Sequence, residues 1–195
     1  MENERRTPHS IAVFGNPRAM CLAALLAAMS LILGKFLQIP TPFSQIVRIS
    51  FENLPLLLAG IYLGPIAGML TAVVADLLGC VLYGYAINIG VTAGAGAIGL
   101  VAGLVSMIVS MLAPKLPLLA RLSLVGGLSH LVGSVLLKTA ALAAWYLSSY
   151  DIGYGEMMLW RALNYLIIGA LEVVILYVLL RHRGFARQLE RMCKK

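Results

Sequence analysis

Charged side chains interrupt several stretches of this sequence that are otherwise apolar enough to cross a membrane. An unpaired Lys, Arg or Asp at the centre of a membrane helix is unfavourable by about 2.5–3.5 kcal/mol, so a chain that retains several of them is expected to use them. Cations with a few acids suit an anionic small molecule, because Arg binds carboxylates in a bidentate manner. The residues concerned are Lys35, Arg48, Glu52, Asp76, Lys138 and Arg161.

The composition is that of an integral membrane protein. The 195 residues are 61% hydrophobic and 12% charged, with a mean hydropathy of +0.91, whereas soluble domains have about 25% charged residues. A membrane span takes about 20 residues, so six spans with their loops are expected to fill residues 1–195 as a single membrane domain. Any energy-coupling module is therefore expected to be a separate chain. Basic residues flanking the spans explain the net charge of +7, so no nucleic-acid partner is expected.

The apolar runs predict an all-α protein with six transmembrane helices. A run of 33 residues over 51–83 would form a helix of about 50 Å, against a hydrocarbon core of about 30 Å. Gly64-Pro65 is expected to divide it, since proline suits the first turn of a new helix. The predicted helices are 19–37, 51–63, 65–83, 88–112, 118–147 and 157–180, with 1–18 and 181–195 as tails.

The basic residues predict the orientation of these helices. They concentrate in the two tails and in the loop before residue 118, while the opposite loops contain only Arg48. The positive-inside rule then places both termini in the cytoplasm. In this topology the six charged residues all lie toward the outer side and predict an outward-open pocket, whereas His130 and Glu172 lie deeper and are expected to satisfy each other.

Small residues recur at helical spacing in two places. Ala19, Ala23 and Ala27 form a line on the first helix that allows close approach of another helix, and the spacing leaves open whether that helix belongs to a partner or to the same bundle. Gly94 and Gly99 belong to a G-x-G-x-x-G sequence that lacks the preceding strand and following acid of a dinucleotide site. We interpret those glycines as close helix packing.

The sequence contains little that supports catalysis or a cofactor. It has no phosphate-binding G-x-x-x-x-G-K-[ST] loop, and the adjacent Ser129 and His130 point about 100° apart on a helix, so they cannot form a nucleophile–base pair. His9 and His182 lie outside the spans, so a metal site is poorly supported. The cysteines have no pairing or ligand spacing; they are Cys21, Cys80 and Cys193.

Several short sequences carry a family resemblance that covers about residues 19–183. The most specific are Lys35-Phe36, Arg48-Ile-Ser-Phe51-Glu-Asn-Leu-Pro55, Leu58-Ala-Gly60, Gly64-Pro65 with Gly68, and Ala75-Asp76-Leu-Leu-Gly79. In these the chain resembles the substrate-binding S components of energy-coupling factor (ECF) vitamin transporters, and is most similar to their folate-type branch. Ile89 and Val91 depart from the branch, which bears on the substrate more than on the family.

The resemblance implies a function and a set of partners. The chain would be the high-affinity vitamin-binding subunit of a multi-pass importer in the cell membrane, with no enzymatic activity of its own. Folate is the expected ligand. Ala19, Ala23 and Ala27 would dock on a transmembrane coupling subunit, and two ATPase subunits would drive transport.

The resemblance also implies roles for individual residues. Cations would bind the anionic groups of the vitamin: Lys35, Arg48, Lys138 and Arg161. Four polar residues would bind the edge of its heterocycle: Asn53, Asp76, Asn88 and Thr92. Glu52 would add polarity beside them. Tyr83 and Tyr85 would stack on its ring.

Three alternatives remain open from the sequence. The chain would be an S component for another vitamin or small molecule, a self-sufficient secondary carrier, or an intramembrane enzyme. A carrier would require inverted repeats and a midplane site, and an enzyme would require a nucleophile–base pair or metal cluster at matched depth.

Overall fold

The described part of the chain is almost entirely helical. The computed structural model describes residues 15–37, 39–40, 48–146 and 153–193. Within these ranges the extended backbone is a two-residue antiparallel pairing of Ile39–Pro40 (β1) with Arg48–Ile49 (β2). The helices are α1 Pro17–Phe36, α2 Asn53–Leu63, α3 Pro65–Tyr83, α4 Ile89–Leu112, α5 Leu118–Ser129, a π-helical segment His130–Leu137, α6 Lys138–Tyr146, α7 Tyr154–Arg181 and α8 Arg183–Cys193.

Five of these helical stretches are long and apolar enough to cross a membrane. They are Pro17–Phe36, Pro65–Tyr83, Ile89–Leu112, Leu118–Ala143 and Tyr154–Arg181. The remaining apolar helix, α2, has 11 residues and a length of about 17 Å, which is short for a hydrocarbon core of about 30 Å. The six helices predicted to cross the membrane therefore correspond to five helices of spanning length and the short α2, which was predicted as 51–63.

The break between α2 and α3 lies where the sequence predicts it. Gly64 has a φ of 88°, a conformation that favours glycine, and Pro65 opens α3. Gly60 and Gly68, on either side of the break, approach so closely that a Cβ atom on Gly68 would lie 2.6 Å from the Gly60 Cα atom. The chain therefore reverses at Gly64, and α2 and α3 form a hairpin.

Glycines also join this hairpin to α4. A Cβ atom on Gly60 would lie 2.5 Å from the carbonyl oxygen of Gly99. Gly94, in the same G-x-G-x-x-G sequence, faces the carbonyl oxygen of Gly133 in the π-helical segment, where a Cβ atom would lie 2.9 Å away. Backbones that approach this closely leave room only for glycine, as expected for tightly packed membrane helices.

The main hydrophobic cluster lies between the helices at the end of the molecule away from the α3–α4 connection. Leu57, Leu58, Ile98 and Leu176 are at most 2% exposed there. The outer faces are also apolar, and Leu166 on α7 is 73% exposed. Exposed apolar side chains on every long helix are what a lipid environment favours.

The amphipathic helix α8 occupies part of the predicted C-terminal tail and was not predicted as a helix. Its Phe185 and Leu189 pack against the main cluster, while its arginines are exposed; these are Arg183, Arg187 and Arg191. Burial, and secondarily the charge of Glu190, raises the pKa of the Cys193 thiol to about 11. That thiol is partly buried and packs against the main cluster.

Candidate functional site

A cavity of about 330 Å³ lies at one end of the helical bundle. Its walls come from the C-terminal parts of α1 and α3, the connection between α3 and α4, the residues just before α2 and its first turn, the first turns of α4 and α6, and the N-terminal half of α7. Helices distant in sequence therefore present their ends to one space, which is the arrangement that the predicted topology requires for its charged residues.

Eight of the eleven predicted binding residues line this cavity. They are Lys35, Glu52, Asp76, Tyr83, Tyr85, Asn88, Lys138 and Arg161. Arg48 belongs to β2, and its side chain lies outside the described part of the structure. Asn53 and Thr92 are buried but are not among the residues that line the cavity.

The charged groups of the cavity include one close pair. Lys138 is 5% exposed, and its Nζ atom lies 3.6 Å from Oε1 of Glu52, whose side chain is 39% exposed. The described lining contains three cations, Lys35, Lys138 and Arg161, against two carboxylates, Glu52 and Asp76, a formal excess of one positive charge. The cavity thus favours a ligand that brings negative charge.

Arg161 is held by hydrogen bonds to the helix that faces it. Its Nε–H group donates to the Thr139 hydroxyl at 2.9 Å, and its Nη2 group donates to the Ser134 carbonyl oxygen at 3.4 Å. The guanidinium also lies over the ring of Tyr165, 5.5 Å from the centroid. This arginine therefore reaches the cavity with its orientation set by protein contacts.

Thr92 acts through Asp76 and not as part of the wall. Its hydroxyl donates to Oδ2 of Asp76 at 2.7 Å, which orients a carboxylate that does face the cavity. Asn88 lines the cavity and also caps α4, since its side-chain oxygen accepts from the N–H groups of Gly90 and Val91. The two Asn53 amide atoms are buried without a described hydrogen-bond partner.

Two tyrosines and a lysine form the wall at the end of α3. The Tyr83 and Tyr85 rings are 6.2 Å apart and inclined at 60°. The Tyr83 hydroxyl donates to the carbonyl oxygen of Leu31 at 2.9 Å, and Nζ of Lys35 lies 4.9 Å from the centre of its ring. These contacts fix the Tyr83 ring against α1 and leave an aromatic surface beside a cation.

A buried polar network continues inward from the cavity. The Tyr165 ring stacks on His130 with the centroids 5.5 Å apart. Nε2 of His130 lies 2.6 Å from Oε2 of Glu172, and its Nδ1 lies 3.3 Å from the Ser134 hydroxyl. Glu172 is fully buried, so the pairing expected from the depth of these two residues is present.

Some residues of the wall were not predicted from the sequence as binding residues. Ser30, Ser50 and Tyr165 also line the cavity. Tyr165 follows Arg161 by four residues, a spacing that places both on one face of a helix. No sequence pattern indicates Ser30, because its position depends on the packing of α1 against the start of α2. There its hydroxyl donates to the Glu52 carbonyl oxygen at 2.7 Å.

The predicted alanine line on α1 lies mainly inside the molecule. Ala19 is fully buried and Ala27 is 5% exposed, and the half-buried Ala23 packs against the same core as Ala19. These residues serve packing within the bundle, one of the two alternatives that spacing left open. The exposed small residues on α1 are Ala24 and Ala28.

The fold defines a class of multi-pass membrane proteins with a cavity between the ends of their helices. A family model described as "ECF-type riboflavin transporter, S component" matches residues 15–182. The chain belongs to this family of ECF transporter S components, which confirms the family predicted from the sequence.

Comparison with solved structures gives the same fold. The chain is similar to the crystal structure of FolT bound with folic acid, with a TM-score of 0.61 and 22% sequence identity, over 83% of this chain and 92% of that one. No curated protein sequence matches the chain.

Proposed function

We propose that this S component binds an anionic vitamin of the folate type in the cavity between its helix ends. The wall residues that would bind its carboxylates are Lys35, Lys138 and Arg161. Asp76 and Asn88 would face the edge of the heterocycle, and Tyr83 and Tyr85 would contact its ring.

The observation that carries this proposal is the excess of cations in the described cavity lining. Lys138 is 5% exposed, and burying such a cation in a membrane protein is costly unless it is paired. Lys138 has Glu52 as a partner at 3.6 Å, a separation too long for a strong hydrogen bond. A ligand carboxylate would supply a second anion where the cations converge.

Riboflavin is the second candidate, and the family description favours it. Its ring system is uncharged, so it would depend on the tyrosine wall and on hydrogen bonds that its N–H groups donate to acceptors such as the Asp76 carboxylate. The two vitamins therefore make different demands on the same cavity, because only folate requires the cations.

Isothermal titration calorimetry of the purified chain with folate and with riboflavin tests the proposal. We expect saturable binding of folate and at least about 100-fold weaker binding of riboflavin, since loss of charged hydrogen bonds costs about 1.5–3 kcal/mol each. Tight binding of riboflavin alone would retain the family and overturn the folate assignment.

We further propose a six-crossing arrangement with both termini in the cytoplasm of the cell. The hairpin at Gly64 supports it, because α2 and α3 run in opposite directions and the short α2 then counts as a crossing. In that arrangement α8 and its arginines would lie at the cytoplasmic surface.

We also propose the partners that the family implies. The S component would assemble with a transmembrane coupling subunit and two ATPase subunits, which would provide the energy for uptake. The exposed face of α1 with Ala24 and Ala28 would meet the coupling subunit, in place of the buried Ala19 and Ala27.

A further inference from the structure

The π-helical segment His130–Leu137 lies directly behind the cations of the cavity. In a π-helix each N–H group bonds to the carbonyl five residues earlier, and such segments are rare and frequent at functional sites. Here the Lys138 N–H group donates to the carbonyl of Gly133. Relative to an uninterrupted α-helix, one added residue turns all the following side chains by about 100° around the helix axis.

That rotation has a visible consequence for two adjacent residues. Lys138 lines the cavity, and Thr139, which is fully buried, faces α7 and accepts the Nε–H group of Arg161 at 2.9 Å. The segment is held in place by α4, since Gly94 packs against Gly133 and against the side-chain stem of Lys138.

The Thr139 hydroxyl has a defined orientation. It donates its single proton to the Ser134 carbonyl oxygen at 3.4 Å, so its lone pairs remain for the Arg161 Nε–H group. The same Ser134 carbonyl accepts from Nη2 of Arg161. The π-helical segment and the first turn of α6 therefore supply one acceptor each on one edge of the guanidinium, and both residues are buried.

We infer that Thr139 is a positioning residue for the vitamin site, and that the π-helical segment serves to place Thr139 and Lys138 around Arg161. This rests on the proposed function, in which Arg161 binds a carboxylate of the ligand. Thr139 does not contact the ligand; it fixes the plane of the guanidinium, and a planar, bidentate donor loses affinity when its plane is free to turn.

The test compares folate binding by Thr139→Val, Thr139→Ser and the unsubstituted chain in isothermal titration calorimetry. Valine keeps the shape and removes the acceptor, so we expect about tenfold weaker binding, the effect of losing one charged hydrogen bond. Serine keeps the hydroxyl and is expected to restore most of the affinity. Thr71→Val is the matched control, because Thr71 is buried on α3 and donates only to the Ala67 carbonyl one turn earlier.

A double-mutant cycle separates positioning from general loss of structure. In an Arg161→Lys background, where no guanidinium remains to orient, Thr139→Val is expected to change folate affinity less than twofold. An equal loss in both backgrounds, or a loss in Thr71→Val as large as in Thr139→Val, would overturn the inference. If the unsubstituted chain binds no folate, the proposed function fails and the inference with it; wild-type binding together with an unaffected Thr139→Val chain overturns the inference alone.

Discussion

At the scale of single residues, the charged groups in apolar helices are the most informative part of the sequence. Lys35, Lys138 and Arg161 come from three different helices and line one cavity. Residue type alone is enough to select them as binding candidates, because burying a charge is costly and a membrane helix retains a cation only where it has a use. Their partners were less predictable, because the Glu52–Lys138 pair and the Arg161–Thr139 bond depend on side-chain distances.

Replacing both Lys138 and Arg161 with alanine is expected to abolish folate binding. Each residue supplies a charged contact worth about 1.5–3 kcal/mol, so the loss should be at least about 100-fold. Calorimetry on the detergent-purified double variant measures it. Arg187→Ala, on the exposed face of α8, serves as the control. Unchanged affinity in the double variant would contradict the anionic-ligand site.

The buried pair of His130 and Glu172 allows a prediction about stability. His130→Phe leaves the Glu172 carboxylate unpaired in the bundle and is expected to lower the free energy of unfolding by about 3–5 kcal/mol. Adding Glu172→Leu removes that isolated charge, so the double variant should recover to within about 2 kcal/mol of the original chain. Unfolding in mixed detergent measures both. A double variant as unstable as the single one would show that the pair does not act as a unit.

At the scale of helices, close backbone contacts decide how α2, α3 and α4 fit together. Gly94 and Gly99 of α4 were expected to pack closely, and they do so at distances that exclude a side chain. The glycines of the hairpin pack equally closely. The existence of α8 was not predicted, since an amphipathic helix lacks the long apolar run on which the prediction of spans relied.

A single methyl group should disturb the α2–α4 contact. Gly60→Ala places a carbon about 2.5 Å from the Gly99 carbonyl oxygen, and overpacking of this kind is expected to cost about 1–3 kcal/mol of unfolding free energy. Gly127→Ala is the matched control on α5, where nothing lies within 4 Å, and helix propensity predicts stabilisation by about 0.5–1 kcal/mol. Equal effects of the two substitutions on the thermal midpoint would refute the role of close packing.

The docking of α8 can be followed through its cysteine. Since the Cys193 pKa is about 11, its thiolate fraction should rise about tenfold with each pH unit between pH 8 and pH 10. Maleimide labelling in a Cys21→Ser, Cys80→Ser background measures this rise. A labelling rate that levels off near pH 9 would instead indicate an ordinary thiol and an undocked helix.

At the scale of the whole molecule, burial shows which side of a helix faces the bundle and which side faces outward, whereas the spacing of residues in the sequence does not. Ala19, Ala23 and Ala27 have the spacing of a helix–helix interface, and they form one between helices of this same chain. The face that remains for a partner carries Ala24 and Ala28, one residue further along the helix.

Enlarging that face should block assembly and spare ligand binding. Ala24→Leu with Ala28→Leu is expected to reduce folate uptake by about tenfold or more when the coupling and ATPase subunits are present, because bulky side chains prevent close helix approach. The isolated subunit should bind folate with unchanged affinity. Ala140→Leu, an exposed alanine on α6, is the control; an equal loss of uptake there, or normal uptake in the double variant, would rule out docking through this face.

The sequence by itself determined the membrane class, the helical fold, the break at Gly64-Pro65, the family, and the charged residues that line the cavity. The family follows from the resemblance of short sequences, and the rest follows from hydropathy, backbone chemistry and the cost of buried charge, which act locally along the chain. The tertiary structure alone decided that Thr92 serves Asp76, that the alanine line is internal, and that a π-helical turn presents Thr139 to Arg161. Each of these depends on the distance between helices, which no local pattern specifies.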